Sequence, residues 1–233
     1  MDTSLIILGV ALIVIIYIVF FYMTMTDSLA DRIDLAQAQT PILATALTKP
    51  ASAKYSYELW LYVYGTKENA GNSYLFSRGA NPLETGVKIN ASSATMTFTY
   101  TATAAASGSA STQKQIVITD NLPLQSWVHV IVSVDNSYID VYMNGKLVKS
   151  VKDVTIDTPS DSLPINYGIS KTYLAKFVRS VTPTDPQTAW NNYLAGNGEN
   201  PIKKYTGDYN LALSFKKGDK DSDAYKWDIM GGK

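Results

Sequence analysis

The 233-residue chain balances 20 Lys and Arg against 20 Asp and Glu, with no cysteine and a single histidine. This excludes disulfides, thiol nucleophiles and cysteine metal sites, leaves one residue for any histidine-based site, and provides no basic footprint for a nucleic-acid partner. Abundant tyrosine (16) among few charges suits β-strands and contact surfaces rather than acid–base chemistry.

Leu5 to Tyr22 is an uncharged apolar run. About 20 apolar residues in a helix cross the roughly 30 Å hydrocarbon core of a bilayer, so residues 1–26 are expected to form a single transmembrane anchor. Leu5, Ile6, Ile7, Leu12, Ile15 and Ile16 would face lipid, and Phe20, Phe21 and Tyr22 crowd toward the interface, where aromatic residues are enriched. A cleaved signal peptide fits less well, because Met1 to Ser4 carry only Asp2 and the apolar run exceeds a signal core.

Residues 27–53 are expected to be a juxtamembrane helix and a linker. Leu29, Ile33 and Ala36 recur at helical intervals behind Asp27 and Ser28, and Gln39 to Ala53 is rich in Thr, Ala and Pro. The globular domain is then expected over 54–233. Tyr55 to Tyr64 alternates as a long strand, with Tyr55, Tyr57, Leu59, Leu61 and Val63 on one face and Glu58, Trp60, Tyr62 and Tyr64 on the other. Ser73 to Ser77, Val87 to Asn90, Thr95 to Thr103 and Gln115 to Thr119 read as further strands, and Ala104 to Thr112 as a low-complexity hairpin tip.

Trp127 to Val151 contains three consecutive strands. Val128, Val130, Val132 and Val134 form its core face, and Asn144-Gly145 supplies the strongest short-range hairpin signal. Ile165 to Ile169 and Tyr173 to Val181 follow as strands. Asp185-Pro186 opens a short helix with Trp190, Tyr193 and Leu194 on one face, ended by Gly196. Leu211 to Phe215 reads as a closing strand, with Trp227 packing the tail back onto the body.

The first strand YELWLYV, the strand and turn LFSRG, the pair around Trp127-Val128-His129-Val130 and the hairpin VYMNGKL together resemble the laminin G-like, concanavalin A-like jelly-roll family. The resemblance covers most of residues 54 to 200 and implies an all-β jelly-roll sandwich. Trp60, Trp127, His129, Asn144 and Gly145 are its fold-defining residues here. Members include lectins, glucanases, adhesion modules and purely structural domains, so the fold alone does not set the activity. An anchor before such a domain is also similar to structural proteins of large DNA viruses.

Glycoside hydrolysis needs two carboxyl groups flanking the bond. The Glu-x-Asp-x-x-Glu strand of glucanases is absent, and Glu58, Glu68, Glu84 and Glu199 are not spaced as a pair. No catalytic residues are therefore assigned. His129 in an alternating strand reads as a buried, hydrogen-bonded imidazole. No cofactor is expected; Asp135, Asn136 and Asp120 are weak calcium candidates in oxygen-rich loops, and turns use the same residues for their own backbone bonds. Tyr62, Tyr64, Tyr138 and Tyr142 are the candidate binding-surface residues, for a glycan or for another protein. The expectation is a non-enzymatic, single-pass membrane protein, a minor virion component at the membrane–capsid interface. Its partners would be the bilayer and neighbouring capsid proteins, with no nucleic acid. The alternative is a cell-surface lectin-like module.

Overall fold

The computed structural model describes residues 3–23, 26–65, 73–79, 84–103, 111–198, 212–215 and 225–228. The chain divides into two compact units, Met1–Asn197 and Gly198–Lys233.

The first unit contains a sandwich of two antiparallel sheets, as the alternating patterns predict. One sheet has six strands in the order β1 (Thr26–Asp34), β11 (Thr172–Ser180), β2 (Lys54–Val63), β7 (Trp127–Asp135), β8 (Tyr138–Met143) and β9 (Lys146–Lys152). The other orders β10 (Ile165–Tyr167), β3 (Ser73–Arg78), β4 (Thr85–Asn90), β5 (Thr95–Ala102) and β6 (Thr112–Thr119). Their facing sides make one core. Leu59, Leu61, Val130, Val132 and Val134 come from the first sheet, and Leu75, Phe76, Val87, Met96 and Phe98 from the second. The fold fits a jelly roll.

The segment before Lys54 differs from expectation. Where a juxtamembrane helix was expected, β1 is a strand paired with β11. The spacing Leu29 to Ile33 fits either period, because four residues make two strand repeats and a little over one helical turn. The free edge of β11 decides between them. Leu29 and Ile33 pack on the core and Leu35 is fully buried. The expected linker is also part of the body. It carries a 3₁₀ turn, Ala44–Ala46, buries Ala44 and Leu47, and bridges Ile42 to Ile165. The sandwich therefore begins at Thr26 rather than Lys54.

Two fully buried arginines fasten this segment. Arg179 of β11 donates to Asp27 (3.2 Å), to the Thr48 carbonyl (2.7 Å) and to the Lys49 carbonyl (3.1 Å). Arg78 of β3 donates to the Pro50 carbonyl (2.8 Å) and to the Ser160 carbonyl. Buried guanidinium groups persist only with such partners, because an unpaired buried charge is strongly destabilising.

Helix α1 (Thr3–Met23) occupies the predicted anchor. Its side chains are described over 7–17, a length of about 16 Å at 1.5 Å per residue, and all of them are exposed, including Ile7, Leu12, Ile15 and Ile16. Among the described residues no helix is long and apolar enough to cross a membrane, so the described part of α1 does not by itself meet the transmembrane expectation. The side chains of Leu5, Ile6, Phe20, Phe21 and Tyr22 lie outside the described residues.

In the second unit β12 (Ala212–Phe215) pairs antiparallel with β13 (Tyr225–Asp228). The expected closing strand thus joins a separate two-stranded sheet. Most of the 104–112 tip and the Trp227 side chain lie outside the described residues.

Candidate functional site

The outer face of the six-stranded sheet is divided into a covered half and an open half. The cover is helix α2 (Pro186–Leu194), started by Asp185, whose carboxylate accepts from the amides of Gln187 (2.9 Å) and Thr188 (3.0 Å). Donation from the Thr188 hydroxyl, then from these amides, holds that carboxyl below its ordinary value. The helix turns Ala189 into a small buried cluster with Ile131 and Tyr142. Of the three residues expected on one face, Trp190 and Leu194 are 39% and 64% exposed, while Tyr193 stacks on Trp60 of the sheet, joined there by Asn192.

Beneath α2 lies a polar and aromatic network. Glu58 of β2 accepts from Asn192 of the helix (2.6 Å) and bonds the His129 ring of β7 (3.1 Å). Trp60 packs on His129 at 4.9 Å between ring centres and stacks on Tyr193 at 5.7 Å. His129 is fully buried, and its main chain exchanges bonds with Asn144: the His129 amide donates to the Asn144 side-chain oxygen (3.0 Å) and the Asn144 amide to the His129 carbonyl (2.8 Å). Both carboxylate oxygens of Glu58 are thus occupied in joining strand to helix. Tyr142, expected on a binding surface, is 1% exposed beneath this cover, with its hydroxyl donating to the Thr184 carbonyl (3.3 Å). It is a packing residue because Thr184, 42 residues later, and the helix that follows it close over it.

The open half is a row of half-buried aromatic side chains. Antiparallel register places Asp34, Tyr173, Tyr62 and Trp127 side by side across β1, β11, β2 and β7. The Tyr62 ring lies 5.6 Å from Trp127 and 6.4 Å from Tyr173, and Tyr64 lies 4.7 Å from Tyr173. Arg32 reaches across the face to hold its guanidinium 5.4 Å from the centre of the Trp127 ring, within cation–π range. Tyr64 donates to Asp34 (3.0 Å), and its phenol is pushed above the ordinary value, by burial first and then by that carboxylate. Beside the row a recess of about 260 Å³ is lined by Val63, Tyr64, Gly65, Leu124 and Gln125. That is somewhat below the roughly 300–1,000 Å³ of pockets for whole drug-sized ligands. It suits one ring-sized unit of a longer molecule.

Of the four tyrosines singled out in the sequence, the fold gathers Tyr62 and Tyr64 and separates the other two. Tyr138 sits at the opposite end of the sheet, paired with Asp135 and Lys152. Trp127 and Tyr173 complete the platform. Trp127 was expected as a fold residue and Tyr173 only as a strand start, and cross-strand register, which one strand's alternation does not contain, brings them together. The calcium candidates do not converge. Asp135 pairs with Lys54 (2.9 Å) and accepts from Asn136 (3.1 Å), and no cluster of three metal-binding side chains occurs among the described residues.

Among solved structures, the binding domain of botulinum neurotoxin DC in complex with rat synaptotagmin II is similar at a TM-score of 0.50 and 13% identity, over 68% of this chain and 38% of that chain. The receptor-binding domain of botulinum neurotoxin type G has a TM-score of 0.47 and 15% identity, over 62% of this chain and 38% of that one. The neurotoxin DC binding domain in complex with SialylT has a TM-score of 0.48 and 12% identity, over 63% and 37%. The chain therefore spans less than two thirds of the length of these neighbours, and at these identities the likeness is one of fold. No curated protein sequence matches. The model of the concanavalin A-like lectin/glucanases superfamily matches residues 36–178, more than half of the chain and all of the sandwich except β1 and the last two residues of β11. With that match and a sandwich of two antiparallel sheets, the chain belongs to the concanavalin A-like lectin/glucanases superfamily.

Proposed function

We propose that this protein is a membrane-anchored, non-enzymatic binding module that engages a glycan on the Tyr62–Trp127–Tyr173 platform. The observation that carries the reading is the open half of the sheet face. A row of aromatic rings stays partly exposed beside a ring-sized recess, while the rest of the face is closed by α2. Aromatic rings offer flat apolar faces to the C–H faces of sugars, and Asp34, Arg32 and Gln125 stand nearby to bond hydroxyl groups. The superfamily includes binding domains, which agrees with this reading. Glu58, the strand glutamate beside Trp60 and His129, is occupied by His129 and Asn192, which supports binding over hydrolysis. The anchor rests on the 21 residues of α1, about 31 Å of helix, and on the absence of charge from Leu5 to Tyr22.

A protein partner is the second reading, favoured by the same Tyr, Trp and Arg composition, which is that of interface hot spots. A virion component that tethers membrane to capsid proteins would use the platform in this way. A glycan array probed with the full chain in detergent separates the two. Specific binding that falls at least about tenfold in Trp127→Ala and Tyr62→Ala, the equivalent of ~1.4 kcal/mol, supports the glycan reading. A silent array, with platform-dependent capture of neighbouring proteins from purified particles, supports scaffolding.

A further inference from the structure

We infer that the sandwich stands end-on to its membrane, seated through a basic pole, so that the aromatic platform lies at its membrane-distal end. This rests on the anchor proposed above. α1 ends at Met23 and β1 begins at Thr26, which leaves at most about 11 Å of chain between them. The Thr26 end of β1 is thus tethered close to the helix. Register places Thr26 beside Ser180 and Ser180 beside Ser56, whereas Asp34 at the other end of β1 lies in the platform row.

The tethered pole has the chemistry of a headgroup contact. Its terminal row runs Lys54, Asp135, Tyr138, Lys152 across β2, β7, β8 and β9. Lys54 and Lys152 are exposed, and Lys152 lies 5.6 Å over the ring of Tyr138, itself 48% exposed. Lys49 is exposed in the turn held by Arg179 at this same pole. Against these lysines stand Asp135, paired with Lys54, Asp153, paired with Lys114, and Asp27, held by Arg179. An excess of lysine around an exposed tyrosine is what an anionic bilayer surface attracts. Lys54 and Tyr62 lie near opposite ends of the ten-residue β2, about 26 Å apart at roughly 3.3 Å per residue. The Arg179 clamp on Asp27, Thr48 and Lys49 holds the first residues of β1 to this pole, so a tether at Thr26 fixes which end is near the lipid.

The chain has no cysteine, so single cysteines report position cleanly. A donor dye is attached to Thr182→Cys, beside the tether row, or to Lys171→Cys, beside the platform. Each full-length variant is reconstituted into phosphatidylcholine vesicles, with and without phosphatidylserine, that carry a lipid-linked acceptor. Energy transfer from position 182 is expected to exceed that from position 171 several-fold, and Lys49→Glu, Lys54→Glu and Lys152→Glu together should reduce the difference in phosphatidylserine vesicles. Equal transfer from both positions means a sandwich lying flat, and larger transfer from 171 means that the platform end is the one nearer the membrane; either overturns the inference. A chain that fails to float with vesicles overturns the anchor and this orientation together. Because no glycan is present, none of these outcomes bears on the platform's ligand.

Discussion

Gly145 answers to two constraints. With φ of +75° it occupies the left-handed region that a tight hairpin demands after Asn144 (φ +50°). A Cβ at this position would also stand 2.9 Å from Trp190 Cε3 and 3.2 Å from Trp190 Cα. Gly145→Ala is therefore expected to lower stability by about 1–3 kcal/mol in chemical denaturation and to loosen α2. A change below 0.5 kcal/mol, roughly the ordinary scatter of surface substitutions, would mean that α2 does not bear on the hairpin. The turn itself is legible in the sequence, since Asn-Gly between β-prone runs has a local cause. The second constraint is not legible, because Trp190 arrives from 45 residues away. His129 shows the same division. Alternation marks it as a strand residue, but its partner Glu58 lies 71 residues earlier, on a strand that becomes its neighbour only in the folded sheet.

At the scale of elements, β1 carries the clearest lesson. Its hydrophobic spacing satisfies a helix as well as a strand, and its Asp27 and Ser28 can cap a helix start. In the folded protein its backbone completes the edge of β11, Asp27 pairs with a buried arginine, and the Tyr167 hydroxyl donates to the Leu29 carbonyl (3.0 Å). A fragment that begins at Lys54 would lose all of these and strand Arg179 without its carboxylate, a loss of about 3–5 kcal/mol before the missing edge strand is counted. Such a fragment is expected to aggregate or to melt well below one spanning Thr26–Asn197, as followed by circular dichroism. Equal melting temperatures would place β1 outside the cooperative unit. Strands with strong alternation, β2 and β7 above all, were readable because one face of each is buried along its whole length. The helix α2 was readable at its start, from Asp185 and Pro186. Tyr193 of its expected face meets the sheet, but Ala189 and Asn192 do so as well, a small and a polar residue that hydrophobic periodicity passes over.

The whole molecule carries buried phenols in its core. Burial, then donation to Asp153, pushes Tyr100 up to about 12, burial alone pushes Tyr167 up to about 12, and burial raises Tyr55 further. The unfolded chain releases these protons near the ordinary value of 10.0, so the stability tied to them is fully present below that pH and lost as pH rises toward about 12. Denaturation midpoints should be flat to about pH 10 and fall beyond it, with the phenolate absorbance of Tyr100 and Tyr167, taken as the difference between the chain and its Tyr100→Phe and Tyr167→Phe variants, lagging until unfolding. A difference signal already present near pH 10 without loss of structure would contradict this account. The sequence by itself determined the all-β class, most strands of the sandwich, the core valines and the hairpin at Asn144-Gly145, because each depends on side-chain period or turn chemistry within a few residues. It did not determine where the sandwich begins, which tyrosines are covered, or that Tyr62, Tyr64, Trp127 and Tyr173 share one open row. Those depend on strand order, register and the placement of α2, all of them contacts between residues far apart in the chain, and only the tertiary structure decides them.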